Sequence, residues 1–249
     1  MPIAHLANAD IYYEIHGQGH PLLMLAPGGL LSHVELWRVT RDGKPRDYPD
    51  PIAALSTRYR CIAIDQRNAG RSHAPIQASD GWQTYAEDHL RLLDSLGVDR
   101  FHVLGSCIGA SFALKLCALA PDRVTGAILQ QPIGLSAANA ANRAESFDSW
   151  ADGLRQRPEG VDEAALEGLR ANLFDGDFVY SVSRQTVAAT QTPLLILAGN
   201  DILHPTEIAH EIARLAPNAT LVEDWKGEDR SDIYTGSIRR FLAGLDQYA

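Results

Sequence analysis

An α/β fold, with a mostly parallel central sheet, helices on both faces and a small helical cap, is what this sequence predicts. Three observations predict it. Short, wholly apolar runs recur along the chain, the pattern of strands buried on both faces of a parallel sheet. Between them lie stretches with apolar residues at three- and four-residue spacing, which read as amphipathic helices. Strands alternating with helices pack as a parallel sheet with right-handed crossovers. The alternation breaks once, over 133–190, where the chain is polar, alanine-rich and helical in tendency. That stretch is expected to be a cap insertion over the carboxyl ends of the strands, with 1–132 and 191–249 forming the core.

Taken in order, Ile11 to Ile15 reads as a strand ending at the turn His16-Gly17-Gln18-Gly19. Pro21 to Ala26 is the first fully apolar strand, and it stops at Pro27-Gly28-Gly29. The polar run from Arg41 to Asp50 is expected to be a surface loop. Pro51 opens a short helix to about Arg58, and Arg60 to Asp65 is the next buried strand. From Ser79 an amphipathic helix runs through Trp82, Tyr85, Leu90 and Leu93 until Gly97 stops it. Two further strands follow, one from Phe101 and one over Val124 to Gln130. After the insertion, Pro193 to Ala198 returns to the buried-strand pattern. Pro205 to Leu215 reads as a helix, Ala219 to Trp225 as a strand, and Ser231 to Gln247 as a closing amphipathic helix.

Composition narrows the function. With 249 residues and no linker-like stretch, one large α/β domain is expected. A net charge of −9 and the lack of a basic cluster argue against nucleic acid and against membrane surfaces, which leaves a small-molecule substrate. No apolar run approaches membrane-spanning length. Cys61, Cys107 and Cys117 are an odd set without metal-ligand spacing, so no metal or cofactor is called for and a reducing cytoplasm is the expected location.

The chemistry concentrates in Phe101-His-Val-Leu-Gly105-Ser106-Cys107-Ile108-Gly109. An apolar strand enters a Gly-x-Cys-x-Gly turn, and a small-residue helix leaves it. This is the context of a nucleophile elbow, whose middle residue is strained and tolerates only small neighbours two positions away. Gly105 and Gly109 supply them and place Cys107 at the tip. Ser106 is out of frame, because Leu104 and Ile108 would then stand where glycines are needed. Cys61 and Cys117 fall on a strand and a core helix and read as packing.

With this elbow, the Asp65-x-Arg67-x-x-Gly70-x-Ser72 loop, the cap insertion and Gly199-x-Asp201-x-x-x-Pro205, the chain resembles the α/β-hydrolase superfamily from about Ile11 to Leu245. The resemblance implies that Asp201 is the acid of a catalytic triad. It also implies an oxyanion hole of two backbone N–H groups, one from Ile108 and one from Gly28 or Gly29. His33 and Trp37, just beyond that loop, are possible pocket residues, while Asp65 and Arg67 are expected to be scaffold. The chain departs from the family at its end. The family's histidine follows the last strand, but here that place reads Trp225-Lys226-Gly227-Glu228, and no histidine follows His210.

A thiol needs less help than a hydroxyl, because its pKa falls at a helix N-terminus or beside a cation. A bare carboxylate next to a thiolate would act the other way, so a neutral or cationic group should lie between Asp201 and Cys107. Three candidates are available: His204, Lys226 and Glu228. His204, three residues past Asp201 and held extended by Pro205, is preferred.

The expectation is a cysteine-dependent hydrolase of a small ester, lactone or thioester, acting through an acyl-enzyme on Cys107. Cysteine-bearing dienelactone-type hydrolases on this fold make a lactone or enol ester a natural case. The alternatives are an acyltransferase on the same scaffold and a non-catalytic, ligand-binding pseudo-hydrolase.

Overall fold

The computed structural model describes residues 2–140 and 145–245. Eight strands form one sheet: β1 (Ile3–Leu6), β2 (Ala9–His16), β3 (His20–Leu25), β4 (Tyr59–Ile64), β5 (Phe101–Ser106), β6 (Val124–Gln130), β7 (Leu194–Leu197) and β8 (Ala219–Val222). Their spatial order is β1-β2-β4-β3-β5-β6-β7-β8. From β4 to β8 all pairings are parallel, while β1 and β2 run antiparallel at one edge. β1 was not anticipated from the sequence: only four residues long, it alternates exposed and half-buried positions instead of showing an apolar run.

The central strands β3, β4, β5, β6 and β7 are almost completely buried, as their apolar runs require. Covering them are α1 (Pro51–Leu55), α2 (Trp82–Ser95) and α3 (Ile108–Leu119). Between β6 and β7, the stretch expected to be a cap carries α4 (Glu145–Arg155), α5 (Glu163–Phe174) and α6 (Arg184–Ala189). The chain continues through α7 (Thr206–Leu215) to α8 (Ser231–Leu245). β8 ends at Val222, three residues before the expected Trp225, and Gln247 lies outside the described residues.

Alternation along the strands divides the core into two clusters. One holds Leu23, Leu25, Val103 and Leu129 against α2 and α3, and it includes Phe147 and Trp150 of α4. The other holds Leu22, Met24, Leu104 and Ile128 with Trp37, Tyr48 and Trp225. Both clusters are apolar on successive residues of the same strands, which fixes β3, β5 and β6 in the middle of the sandwich.

The strand order reverses between β3 and β5, because β4 sits outside β3 while β5 sits inside it. In open parallel sheets ligands bind at the carboxyl ends of the strands on either side of such a switch. Gly28 and Cys107 stand at those two ends.

Candidate active site

β5 ends at Ser106 and α3 begins at Ile108, so Cys107 is the single residue between strand and helix. Its backbone sits at φ 59°, ψ −120°, a conformation costing on the order of 1–3 kcal/mol for a residue with a side chain. Small neighbours make that turn possible. A methyl group on Gly105 would strike the carbonyl of Gly109, and one on Gly109 would strike the carbonyl of Leu25. The Cys107 N–H donates to the Gln130 carbonyl at 2.9 Å, which ties the bend to the neighbouring strand. Ser106 is fully buried behind it, as the motif frame requires.

The loop after β3 is braced from several directions. Ser32 Oγ donates to the Ala26 carbonyl at 2.6 Å, and the Val34 N–H donates to Asp65 Oδ1 at 2.8 Å. Asp65 is in turn held by Arg71 Nε at 2.8 Å, and Arg67 is paired with Asp88 at 2.7 Å. Asp65 and Arg67 are thus scaffold. Gly28, at φ 121°, presents its amide to the Cys107 sulfur, and the Ile108 amide does the same from the helix. Of the two glycines left open by the sequence, Gly28 is the one that reaches the sulfur. Gly29 lines the same cavity and uses its carbonyl to accept the Ser32 N–H at 3.1 Å.

The loop between β7 and α7 carries both Asp201 and His204. Asp201 Oδ1 accepts the backbone N–H groups of Leu203 and His204, each at 2.9 Å, so the carboxylate caps its own turn. His204 Nδ1 lies 2.8 Å and 2.9 Å from the two carboxylate oxygens. This contact fixes the ring and leaves Nε2 as the nitrogen directed elsewhere. Nε2 is buried and approaches the Cys107 thiol without yet forming a well-aligned hydrogen bond to it. Gly199 packs directly against His204, where any side chain would collide with the ring's Cβ, so the glycine makes room for the turn.

Electrostatics separate the three cysteines. Burial pushes the Cys61 and Cys117 thiols up to about 12, so both are inert packing groups. At Cys107 burial also disfavours the thiolate, but the charge of the nearby His204 ring and the amides of Gly28 and Ile108 outweigh it, and the thiol falls below its ordinary value. For His204, burial opposes the charged ring, yet the neighbouring sulfur and Asp201 raise it to about 9. The hydrogen bond from His204 holds the Asp201 carboxyl far below the usual carboxylate range. The lowered thiol, the raised imidazole and the lowered carboxyl all shift in the direction of an alternating anion–cation–anion line.

The other expected residues fall elsewhere. Lys226 Nζ donates to Gln131 Oε1 at 3.3 Å and lies 3.6 Å from Asp47, and it does not reach the sulfur. The Glu228 side chain lies outside the described residues. Trp37 is fully buried in the core cluster on the far face of the sheet, and neither it nor His33 lines the cavity over Cys107. Both follow the loop after β3, but the 3-10 turns Gly29–Leu31 and Val34–Trp37 carry the chain back into the core.

A cavity of about 680 Å³ opens over Cys107, lined from the core by Gly28, Ile108 and His204 and from the 133–190 stretch by Ile133, Phe174 and Tyr180. Thr40, Arg41, Asp42 and Arg46 also line it; the polar run 41–50 is a largely exposed loop, as expected, and one edge of it faces this opening. Its composition resembles any solvated loop. The one sequence signal was its position, directly after the loop that supplies Gly28. The run is also anchored inward, because Tyr48 is buried against Trp225 and Tyr234. Among the described residues no cluster of side chains could hold a metal ion. None of the described helices is long and apolar enough to cross a membrane.

Comparison with known proteins agrees with the fold. The family described as alpha/beta hydrolase fold matches residues 21–177, well over half of the chain. A protein of Azorhizobium caulinodans provisionally named carbamate hydrolase RutD is 28% identical over 99% of this chain and 100% of its own. Carboxylesterase YbfK of Bacillus subtilis is 26% identical over 78% of this chain and 68% of its own length. The crystal structure of the enol-lactonase from Burkholderia xenovorans superposes with a TM-score of 0.69 at 21% identity, covering 97% of this chain and all of that one.

Proposed function

Because the chain belongs to the α/β-hydrolase family of enzymes, we propose that it hydrolyses a small ester, lactone or thioester through an acyl-enzyme on Cys107. The observation that carries this reading is the line Cys107–His204–Asp201 with the amides of Gly28 and Ile108 converging on the sulfur. A cysteine at the elbow and a histidine three residues past the acid make a complete nucleophile, base and orienter.

In the first step the Cys107 thiolate attacks the substrate carbonyl carbon. A C–S bond forms, and the carbonyl electrons move onto oxygen, where the Gly28 and Ile108 amides hold the anion. The tetrahedral species collapses with breakage of the C–O or C–S bond to the leaving group, which takes its proton from the His204 imidazolium. Water then attacks the thioester, gives its proton to neutral His204 and releases the acid. Cys107 leaves as the thiolate beside the newly formed His204 imidazolium, which restores the ion pair. Asp201 keeps Nδ1 protonated throughout, so Nε2 does the exchanging. The carbamate, ester and enol-lactone named for the relatives all present the same kind of electrophilic carbonyl.

Intact-protein mass spectrometry with p-nitrophenyl acetate tests the reading. The expected result is a single acetyl adduct on Cys107 that hydroxylamine removes, together with rapid alkylation of Cys107 by iodoacetamide near pH 7. A thiol that forms no adduct and reacts only above pH 9 would instead support the ligand-binding pseudo-hydrolase.

A further inference from the structure

The cavity over Cys107 is unevenly charged. The protein as a whole carries −9, yet Arg41 and Arg46 both line this space. Among the described residues neither arginine has a carboxylate within ion-pair distance. The three carboxylates of this strap, residues 41–50, have other partners: Asp42, which also lines the cavity, lies 2.6 Å from Lys44 Nζ, Asp47 lies 3.6 Å from Lys226 Nζ and Asp50 lies 2.9 Å from Arg38 Nε. Arg46 is half-buried, and its Nε donates to the Leu36 carbonyl at 2.9 Å, which fixes the plane of the guanidinium. Arg41 Nη2 donates to Ser149 Oγ of α4 at 3.3 Å, joining the strap to the helices on the other side of the cavity. The rest of the wall mixes apolar Ile133, Phe174, Tyr180 and Leu203 with polar Gln131 and Asn139.

A guanidinium fixed at Nε and turned into a cavity matches a planar carboxylate better than it matches water, and the low-dielectric wall strengthens the attraction. An acidic chain that keeps two unpaired arginines beside its nucleophile focuses a positive potential there. We propose that the substrate is a carboxylic acid as well as an ester or lactone: a half-ester or lactone acid whose free carboxylate is held by Arg46, with Arg41 closing on it from the strap. This rests on Cys107 being the nucleophile. The apolar part of the wall takes the hydrocarbon between the two carbonyl groups, and the arginines fix which end meets the sulfur.

Two p-nitrophenyl esters of equal length test it: the half-ester of glutaric acid and the same compound with its free acid methylated. We expect kcat/KM for the acid to exceed that for the methyl ester by about tenfold or more, as a charge-assisted hydrogen bond provides. The ratio should fall below about threefold in the Arg41→Gln, Arg46→Met double variant. Arg46→Lys, which keeps charge without the planar fork, should fall between. Both rates come from one preparation, so a partly folded variant leaves the ratio interpretable. No preference for the acid, or a preference untouched by the double variant, overturns the proposal. If Cys107 still acquires an acyl adduct from the methyl ester in that case, only the carboxylate assignment fails. If neither ester acylates Cys107 and the thiol is inert to iodoacetamide, the nucleophile assignment fails with it.

Discussion

Two loops leave the carboxyl edge of the sheet side by side, one after β7 and one after β8, and on the proposed reading they have exchanged duties relative to the family pattern. The first, running to Pro205, carries Asp201 and His204 within one turn closed by two backbone hydrogen bonds to the carboxylate. The second, where the family places its histidine, is a brace. Trp225 is buried and donates its Nε1–H to the Ala198 carbonyl at 2.7 Å, so it holds the end of β7 in place. Lys226 and the Gly227 N–H fasten the same loop to Asp47, the latter at 3.0 Å to its carbonyl. The difference teaches that a base is defined by what its nitrogen reaches and what orients its ring. Its position in the strand order is secondary. A three-residue separation lets the acid orient the base through its own turn, which needs no second element to bring them together.

The comparison breaks most widely when the group both loops could serve is removed. Cys107→Ala should abolish acyl-adduct formation and reduce ester turnover to the uncatalysed rate, read by mass spectrometry and by steady-state kinetics. Next comes the base. His204→Ala should slow acylation by about two to four orders of magnitude, the usual worth of a positioned proton-transfer group. If His204→Ala turns over at the wild-type rate, the duties have not moved to the β7 loop and Lys226 becomes the group to examine.

Asp201→Asn sharpens the contrast, because it keeps the turn and removes the charge. A neutral amide allows the wrong tautomer, which in serine triads costs about 10⁴. A thiol depends less on its base, so a loss of about one to two orders is expected here.

The pH dependence carries its own signature. Activity should rise with pH as Cys107 loses its proton, with a midpoint below that of an ordinary thiol. It should fall again near 9 as the His204 imidazolium, the donor to the leaving group, deprotonates. Asp201 contributes to raising His204, so Asp201→Asn should move the alkaline limb to lower pH. A pH–kcat/KM profile for the two proteins checks this, and an unmoved alkaline limb would separate Asp201 from the ring's titration. The smallest effect is expected on the brace: Lys226→Ala should change kcat/KM by about twofold or less, since an exposed or half-exposed pair contributes little.

The sequence by itself determined the elbow and the central strands. A glycine two residues on either side of Cys107, an apolar run before it and a small-residue helix after it are local requirements of one strained backbone position, and local requirements are written in adjacent letters. The same holds for β3 to β7, whose double burial demands continuous apolar runs. The edges were less legible: β1 pairs on one side only and needs few apolar residues, and β8 ends before Trp225 because that ring turns inward to the core. Tertiary structure alone decided that His204 approaches the sulfur while Lys226 turns to Gln131, that Gly28 and not Gly29 presents its amide, that Trp37 turns away from the cavity, and that Arg41 and Arg46 line it. The reason is distance along the chain. Cys107 and His204 are brought together by the parallel register of β5, β6 and β7, and the strap reaches the cavity because Tyr48 is anchored against rings nearly two hundred residues later. No periodicity encodes such a meeting, because it depends on how several buried faces stack at once.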